Sequence, residues 1–344
     1  MSTKTFISTQ LKNESLAINS YYQLGYYFFG PVLLEFIRRL IIQLSDDVQL
    51  LLFISREGYL LQQLYNLVTK KLYMKNVNNI YFLSSRRSIT IPNIENEFDI
   101  KNILNYPYKG NYKDLMLNRF SILPNINLNN IELPNNNIVL KILKQFKEEI
   151  LLNAQEEKNN YLKYISKLKI PKNLMLGLID FGYSGTVQKY LQKLLPDNYI
   201  KGYYCITNNR NNNDAVGLLI NHDNRRTTKE FIYKCNLLFE AILTSNNNQL
   251  LYFNINGNPI YSNNTIHDYN KIKLVHDGIL SYAADNISNL FINEKVTNDL
   301  LNIWLHYIIA KNIISNEIID IFEFKDEYCN LFNGNYYLTL INDN

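Results

Sequence analysis

The chain has 344 residues, enough for one elaborated domain or two modest ones, and 47% of them are hydrophobic against 19% charged, which excludes a disordered polymer. With 12 Gly and 8 Pro it is neither collagen-like nor linker-dominated. A net charge of +4 over this length is too small to mark a nucleic-acid binder, so no nucleic-acid partner is expected.

Cys205, Cys235 and Cys329 are scattered and not in CxxC form, which suits a reducing cytoplasm better than a disulfide framework or a zinc site. The first ten residues lack a signal-like apolar run, and no stretch of about 18 apolar residues is free of charge. A cytoplasmic protein is expected. Residues 1–45 read as an N-terminal helical segment. Within it, Pro31 suits the first turn of a helix that carries Leu33, Phe36, Ile37, Leu40, Ile41 and Leu44 at helical spacing. Glu35, Arg38, Arg39 and Gln43 share the opposite face. Such a helix packs on a core or, alternatively, lies peripherally on the inner face of a membrane.

An α/β core is expected over 46–255. Val48 to Ile54 is a short continuous apolar run, the pattern of a strand buried on both faces. Ser55-Arg56-Glu57-Gly58 breaks it, helical periodicity follows from Tyr59, and Asn79 to Ser84 is the next strand, ending in Ser85-Arg86-Arg87-Ser88. This βαβ unit implies a parallel sheet with ligands at the carboxyl ends of its strands. Residues 93–168 read as an insertion, with a long helical pattern from Ile138 to Leu168. Further strands are expected at Leu174 to Phe181, Tyr199 to Ile206 and Gln249 to Asn254, and residues 256–344 form a mostly helical C-terminal extension.

Two constellations carry chemistry. In Asp180-Phe-Gly182-Tyr183-Ser184-Gly185-Thr186 a buried strand runs into an acid and then a Gly-rich turn that opens a helix. Its glycines admit close backbone approach, and its hydroxyls and helix-start N–H groups would face an anion. The pattern is neither a Walker A loop nor a dinucleotide fingerprint, and a plain βα turn accounts for the glycines equally well. The second constellation joins Ser55, Arg56 and Glu57 to Ser85, Arg86 and Arg87 at neighbouring strand ends, where guanidiniums suit a polyphosphate. Ordinary surface cations paired with nearby acids are the alternative. Glu240, in an apolar helix, is a structural acid or a cleft carboxylate. His222, His267 and His276 each precede an Asp, but no HxxxH or HExxH spacing supports a metal-dependent hydrolase.

Taken in order, GYYFFGPVLLEF, FISREGYLL, YFLSSRRS, LIDFGYSGTVQKYL, GYYCI and FEAILTS resemble the phosphoribosyltransferase-type ribofuranosyltransferase modules of bacterial capsule and O-antigen synthesis. The resemblance covers roughly residues 20 to 255. It implies a phosphoribosyltransferase-like, Rossmann-like sheet and transfer of 5-phosphoribosyl from phosphoribosyl pyrophosphate to a sugar hydroxyl of a glycan acceptor, free or lipid-linked. A separate phosphatase of the haloacid-dehalogenase type would then remove the 5-phosphate. By this resemblance, Gly182, Tyr183, Ser184, Gly185 and Thr186 hold the 5-phosphate while Asp180 faces the ribose. Ser55, Arg56, Gly58 and Tyr59 form the pyrophosphate loop with Ser85, Arg86 and Arg87. Mg²⁺ shares the leaving-group charge, held mainly through the pyrophosphate with Asp180 as a further ligand, and Glu57 or Asp180 takes the acceptor proton.

The chain departs from the usual donor loop, which has two adjacent acids, because Phe181 follows Asp180. Glu57 or Glu240 would have to supply the missing contact. Two other readings are a sugar-phosphate hydrolase of the haloacid-dehalogenase type, opposed by the absence of DxDxT, and a noncatalytic module that binds a glycan or a partner.

Overall fold

A computed structural model describes residues 1–342 apart from Glu14, Lys75, 125–134, Tyr183, 208–213, 222–229, 264–267, 292–295, Glu327 and Asn335. Its centre is a five-stranded, wholly parallel sheet in the order β2-β1-β3-β4-β5. The strands are β1 (Val48–Ile54), β2 (Asn78–Phe82), β3 (Met175–Asp180), β4 (Tyr199–Thr207) and β5 (Ala215–Asn221). Four of them fall where apolar runs predict. The edge strand β5, AVGLLIN, is an addition to the strands expected from the sequence.

Alternate side chains of β1 enter two different cores. Leu51 and Phe53 join the cluster that contains Leu61 and Leu64 of helix Glu57–Lys71, whereas Leu52 and Ile54 join the one that contains Leu191 of helix Thr186–Leu194. The first connection therefore covers one face of the sheet and the second covers the other. The chain reverses between β1 and β3, and in open parallel sheets a crevice forms at the carboxyl ends of strands where that reversal occurs.

The N-terminal segment is built into the first core. Helix Gly30–Gln43 has Pro31 in its first turn and buries Leu33, Phe36, Ile37 and Leu40 completely. Its apolar face is thus occupied by protein, which removes the basis for a membrane-surface role of this helix. The opposite face is not a solvent face either. Glu35 is fully buried, with Arg38 and Arg39 each donating to its carboxylate at 2.7 Å. Arg39 also donates to the Leu218 carbonyl of β5 at 3.0 Å and to Val296 at 3.0 Å. The charges form an internal clamp, since a buried carboxylate is tolerated when guanidiniums saturate its oxygens.

The C-terminal part shares this core. Gly278 of helix Tyr269–Asn286 lies against the Tyr22 carbonyl so closely that a Cβ would sit 2.1 Å from it, which ties the two ends of the chain together. Trp304 of helix Asn298–Ala310 is fully buried and donates its indole N–H to the Tyr27 carbonyl at 2.9 Å. The extension is helical only in part. Pro259–Tyr261 (β7) pairs antiparallel with Leu250–Phe253 (β6), so the strand expected at 249–254 lies in a separate ribbon, and a second ribbon pairs β8 (Phe324–Asp326) with β9 (Leu331–Asn333).

The insertion is a small helical unit with a core of its own. Helices Glu97–Leu104, Tyr112–Phe120 and Asn136–Lys167 enclose Ile100, Leu115, Met116, Ile142 and Phe146. No helix among the described residues is long and apolar enough to cross a membrane.

Candidate functional site

A pocket with a free volume of about 150 Å³ opens at the switch between β1 and β3. Three strand ends build it: Ser55, Arg56 and Glu57 follow β1, Ser84, Ser85 and Arg86 follow β2, and Asp180 ends β3 with Phe181, Gly182, Ser184, Gly185 and Thr186 after it. Glu240 enters from helix Asn236–Ile242, and Gln249 and Tyr328 close the remaining side.

Behind β1 the chain turns into its helix within two residues, and the turn is strained. Arg56 has φ 74° and ψ −89°, close to the rare strained form of the γ-turn. Its N–H is held by the Tyr81 hydroxyl at 2.9 Å. Sparsely populated backbone at a strand end persists only when its surroundings enforce it, and such residues gather at ligand sites.

After β3 the turn is a left-handed one at Gly185, φ 66° and ψ 23°, directly before helix Thr186–Leu194. No side chain caps this helix start, so first-turn N–H groups lie beside the pocket. A Cβ added to Gly182 would meet no other atom within 4 Å, so internal packing does not demand a glycine there. The Ser184 and Thr186 hydroxyls are 2.9 Å apart on the pocket wall.

The pocket holds three carboxylates, Glu57, Asp180 and Glu240, against two guanidiniums, Arg56 and Arg86. Burial pushes the Asp180 carboxyl well above the ordinary carboxylate range, and the negative charges of Glu57 and Glu240 push it further, against a smaller opposing effect of Arg86. The Phe181 N–H donates to Asp180 Oδ1 at 2.8 Å. Burial also raises Glu57, offset in part by Arg56 and Arg86. Both acids therefore hold protons more tightly than free carboxylates do.

Several expected site residues are placed elsewhere or are already engaged. Arg87 is 2% exposed and points away from the pocket. It makes a two-pronged ion pair with Glu157, one arm at 2.7 Å, and donates to the Leu251 carbonyl at 3.0 Å. The Ser55 hydroxyl bridges to the backbone of Ser84. The Ser85 hydroxyl donates to the Leu250 carbonyl at 2.7 Å and caps the next helix through Ser88 N–H. A hydroxyl has one proton to donate, so neither serine keeps one for an anion.

Gly58 packs its helix against Phe53, where a Cβ would sit 2.5 Å from the backbone. Tyr59 packs its ring on Tyr81 and His276. Tyr183, His222 and His267 lie outside the described residues. Among the described residues no group of three or more His, Cys, Asp or Glu is placed to hold a metal ion.

The wall formed by Tyr328 was not legible beforehand. Arg86 lies 5.5 Å from the Tyr328 ring centre, and its Nη1 is 3.8 Å from Cys329 Sγ. Tyr328 is anchored in turn by Arg119, whose Nε and Nη2 both donate to its carbonyl at 3.1 Å. Nothing local in sequence signals that residues 328 and 86 meet, because the contact spans most of the chain.

His276 supports the site from below: its Nε2 donates to the Ile242 carbonyl at 2.8 Å, at the end of the helix that carries Glu240. Burial lowers its pKa from 6.5 to about 4. The unfolded chain therefore binds the proton more readily than the folded one, and stability present above pH 6.5 is lost as pH falls towards 4, by up to about 3 kcal/mol. Urea unfolding at pH 7.5, 5.5 and 4.5 should show this loss, and His276→Gln should reduce the slope. An equal slope in both proteins would remove His276 as its source.

No protein-family model matches the chain, and no match was found among curated proteins. Fold and site together define an α/β protein with a switch-point pocket that combines a helix start, two guanidiniums and raised carboxyls.

Proposed function

We propose that the chain transfers 5-phosphoribosyl from phosphoribosyl pyrophosphate to a glycan hydroxyl, as its resemblance to phosphoribosyltransferase-type ribofuranosyltransferase modules implies. The observation that carries this reading is the charge pattern of the pocket: three acids and two arginines surround a helix start. A bare phosphate would be repelled by that excess of carboxylate. A sugar phosphate whose diphosphate brings a divalent cation would find partners for all its parts. The parallel sheet and the pocket at the carboxyl ends of β1 and β3 are compatible with such a fold.

In this reading the N–H groups after Gly185 receive the 5-phosphate, and Arg56 and Arg86 face the diphosphate. Asp180 with Glu57 or Glu240 supplies the hard oxygen ligands that Mg²⁺ prefers, and that ion would neutralise leaving-group charge. The acceptor oxygen bonds to C1 of the ribose as the C1–O bond to diphosphate breaks, and diphosphate leaves with the electron pair. The hydroxyl proton passes to Glu57 or Asp180, whose raised pKa makes the ionised form a better base. The pocket's free volume of about 150 Å³ is below the ~300 Å³ typical of small-molecule sites. The donor therefore overhangs the mouth or displaces the Tyr328 wall.

Calorimetric titration with phosphoribosyl pyrophosphate tests this. Binding should require Mg²⁺ and exceed that of ribose 5-phosphate or a nucleotide sugar. Because burial and neighbouring acids raise the Asp180 carboxyl in the empty pocket and a bound cation would lower it, binding should release protons and the heat should vary with the ionisation enthalpy of the buffer. No binding, or preference for the nucleotide sugar, overturns the reading.

A further inference from the structure

A second cavity, with a free volume of about 440 Å³, adjoins the site and is separated from it by Gln249 and Tyr328, which line both. Its walls come from three parts of the chain: Leu117 and Ser121 of the insertion, Asn263 beside the β6–β7 ribbon, and Asn330 of the C-terminal ribbon. Arg87 also reaches it, but its charge is answered by Glu157.

Gln249 is 7% exposed, and its side-chain amide has no hydrogen-bond partner among the described residues. Buried amides are nearly always paired, so one left facing a cavity calls for a ligand or water. The rest of the polar lining is chiefly amides and hydroxyls, Asn118, Ser121 and Asn330 among them, with Lys325 as a further cation and Leu117 and Leu251 as apolar patches. Amides and hydroxyls both donate and accept, as sugar hydroxyls do.

We infer that this second cavity binds a hydroxyl-rich glycan and is the acceptor subsite, with Gln249 hydrogen-bonding the acceptor at the junction with the first pocket. The word acceptor rests on the transferase reading. The glycan site rests on the cavity itself.

The test is saturation-transfer NMR on the intact chain with methyl glycosides of glucose, galactose, N-acetylglucosamine, rhamnose and ribose. At least one should bind, and Leu117→Arg, which places a long cation in the cavity from a position already 47% exposed, should weaken binding at least fivefold. Leu140→Arg, on another exposed part of the insertion, should not change it. Gln249→Met should weaken binding at least threefold with an unaltered melting temperature. No glycoside binding, or equal binding in Leu117→Arg and Leu140→Arg, overturns the inference. Phosphoribosyl pyrophosphate titrated into the same samples reports on the transferase reading separately. Donor binding without glycoside binding removes only the acceptor subsite, and glycoside binding without donor binding removes only the transferase.

Discussion

Asp180→Asn is expected to melt at a higher temperature than the natural chain at pH 7 and, on the proposed transferase reading, to lose phosphoribosyl pyrophosphate turnover by at least about 100-fold. Burial and the neighbouring Glu57 and Glu240 charges raise the Asp180 carboxyl well above 3.8, so the folded chain retains a proton that the unfolded chain releases. Stability then falls as pH rises from about 3.8 through the folded pKa. An amide removes that penalty while keeping the shape, and a gain of roughly 2 °C or more is expected. The gain should shrink as pH falls towards 3.8, below which both states hold the proton.

On the proposed transferase reading, turnover falls because the amide cannot take up the acceptor proton and, being neutral, holds a cation less tightly than a carboxylate. Diphosphate release and melting curves at pH 7 and 4.5 would check both effects. A destabilised variant at pH 7 would contradict the electrostatic account, and full turnover would remove Asp180 from the site.

The parts of this arrangement that were legible in sequence are the local ones. Val48–Ile54 and Met175–Asp180 read as buried strands because short, predominantly apolar runs bounded by polar turns leave few other options. Parallel pairing then brought Ser55, Arg56 and Arg86 to one edge. What could not be read is which side chains the backbone had already engaged. Arg86 and Arg87 are adjacent and identical in type, yet one lines the pocket and the other is 2% exposed against Glu157. A helix starting at Arg86 turns successive residues about 100° apart, so one faces the crevice and the next faces the insertion. Gln249 and Tyr328 were missed for another reason: their roles depend on ribbons folded back from distant sequence.

Arg119 shows how such long-range contacts govern the site. In the sequence Leu-Asn-Arg-Phe it looks like an ordinary cation on an insertion helix, but it is fully buried. Its guanidinium donates to the carbonyls of Ile103 at 2.6 Å, Pro107 at 2.8 Å and Tyr328 at 3.1 Å, between the Tyr108 and Tyr328 rings. It thus fastens the insertion and the C-terminal ribbon together behind the wall that Arg86 meets. Arg119→Met keeps most of the volume but removes every donor, leaving several buried carbonyls without partners, at a cost of about 3 kcal/mol or more. The loss should be local first. Amide hydrogen exchange should speed up around Tyr328 and residues 103–107, with the parallel sheet still protected. On the proposed reading, phosphoribosyl pyrophosphate affinity should fall as the Tyr328 wall loosens, whereas Arg119→Lys should restore part of the protection through its remaining donors. Unchanged exchange at Tyr328 in Arg119→Met would show that the ribbon is held by other contacts, and that Arg119 does not position the site.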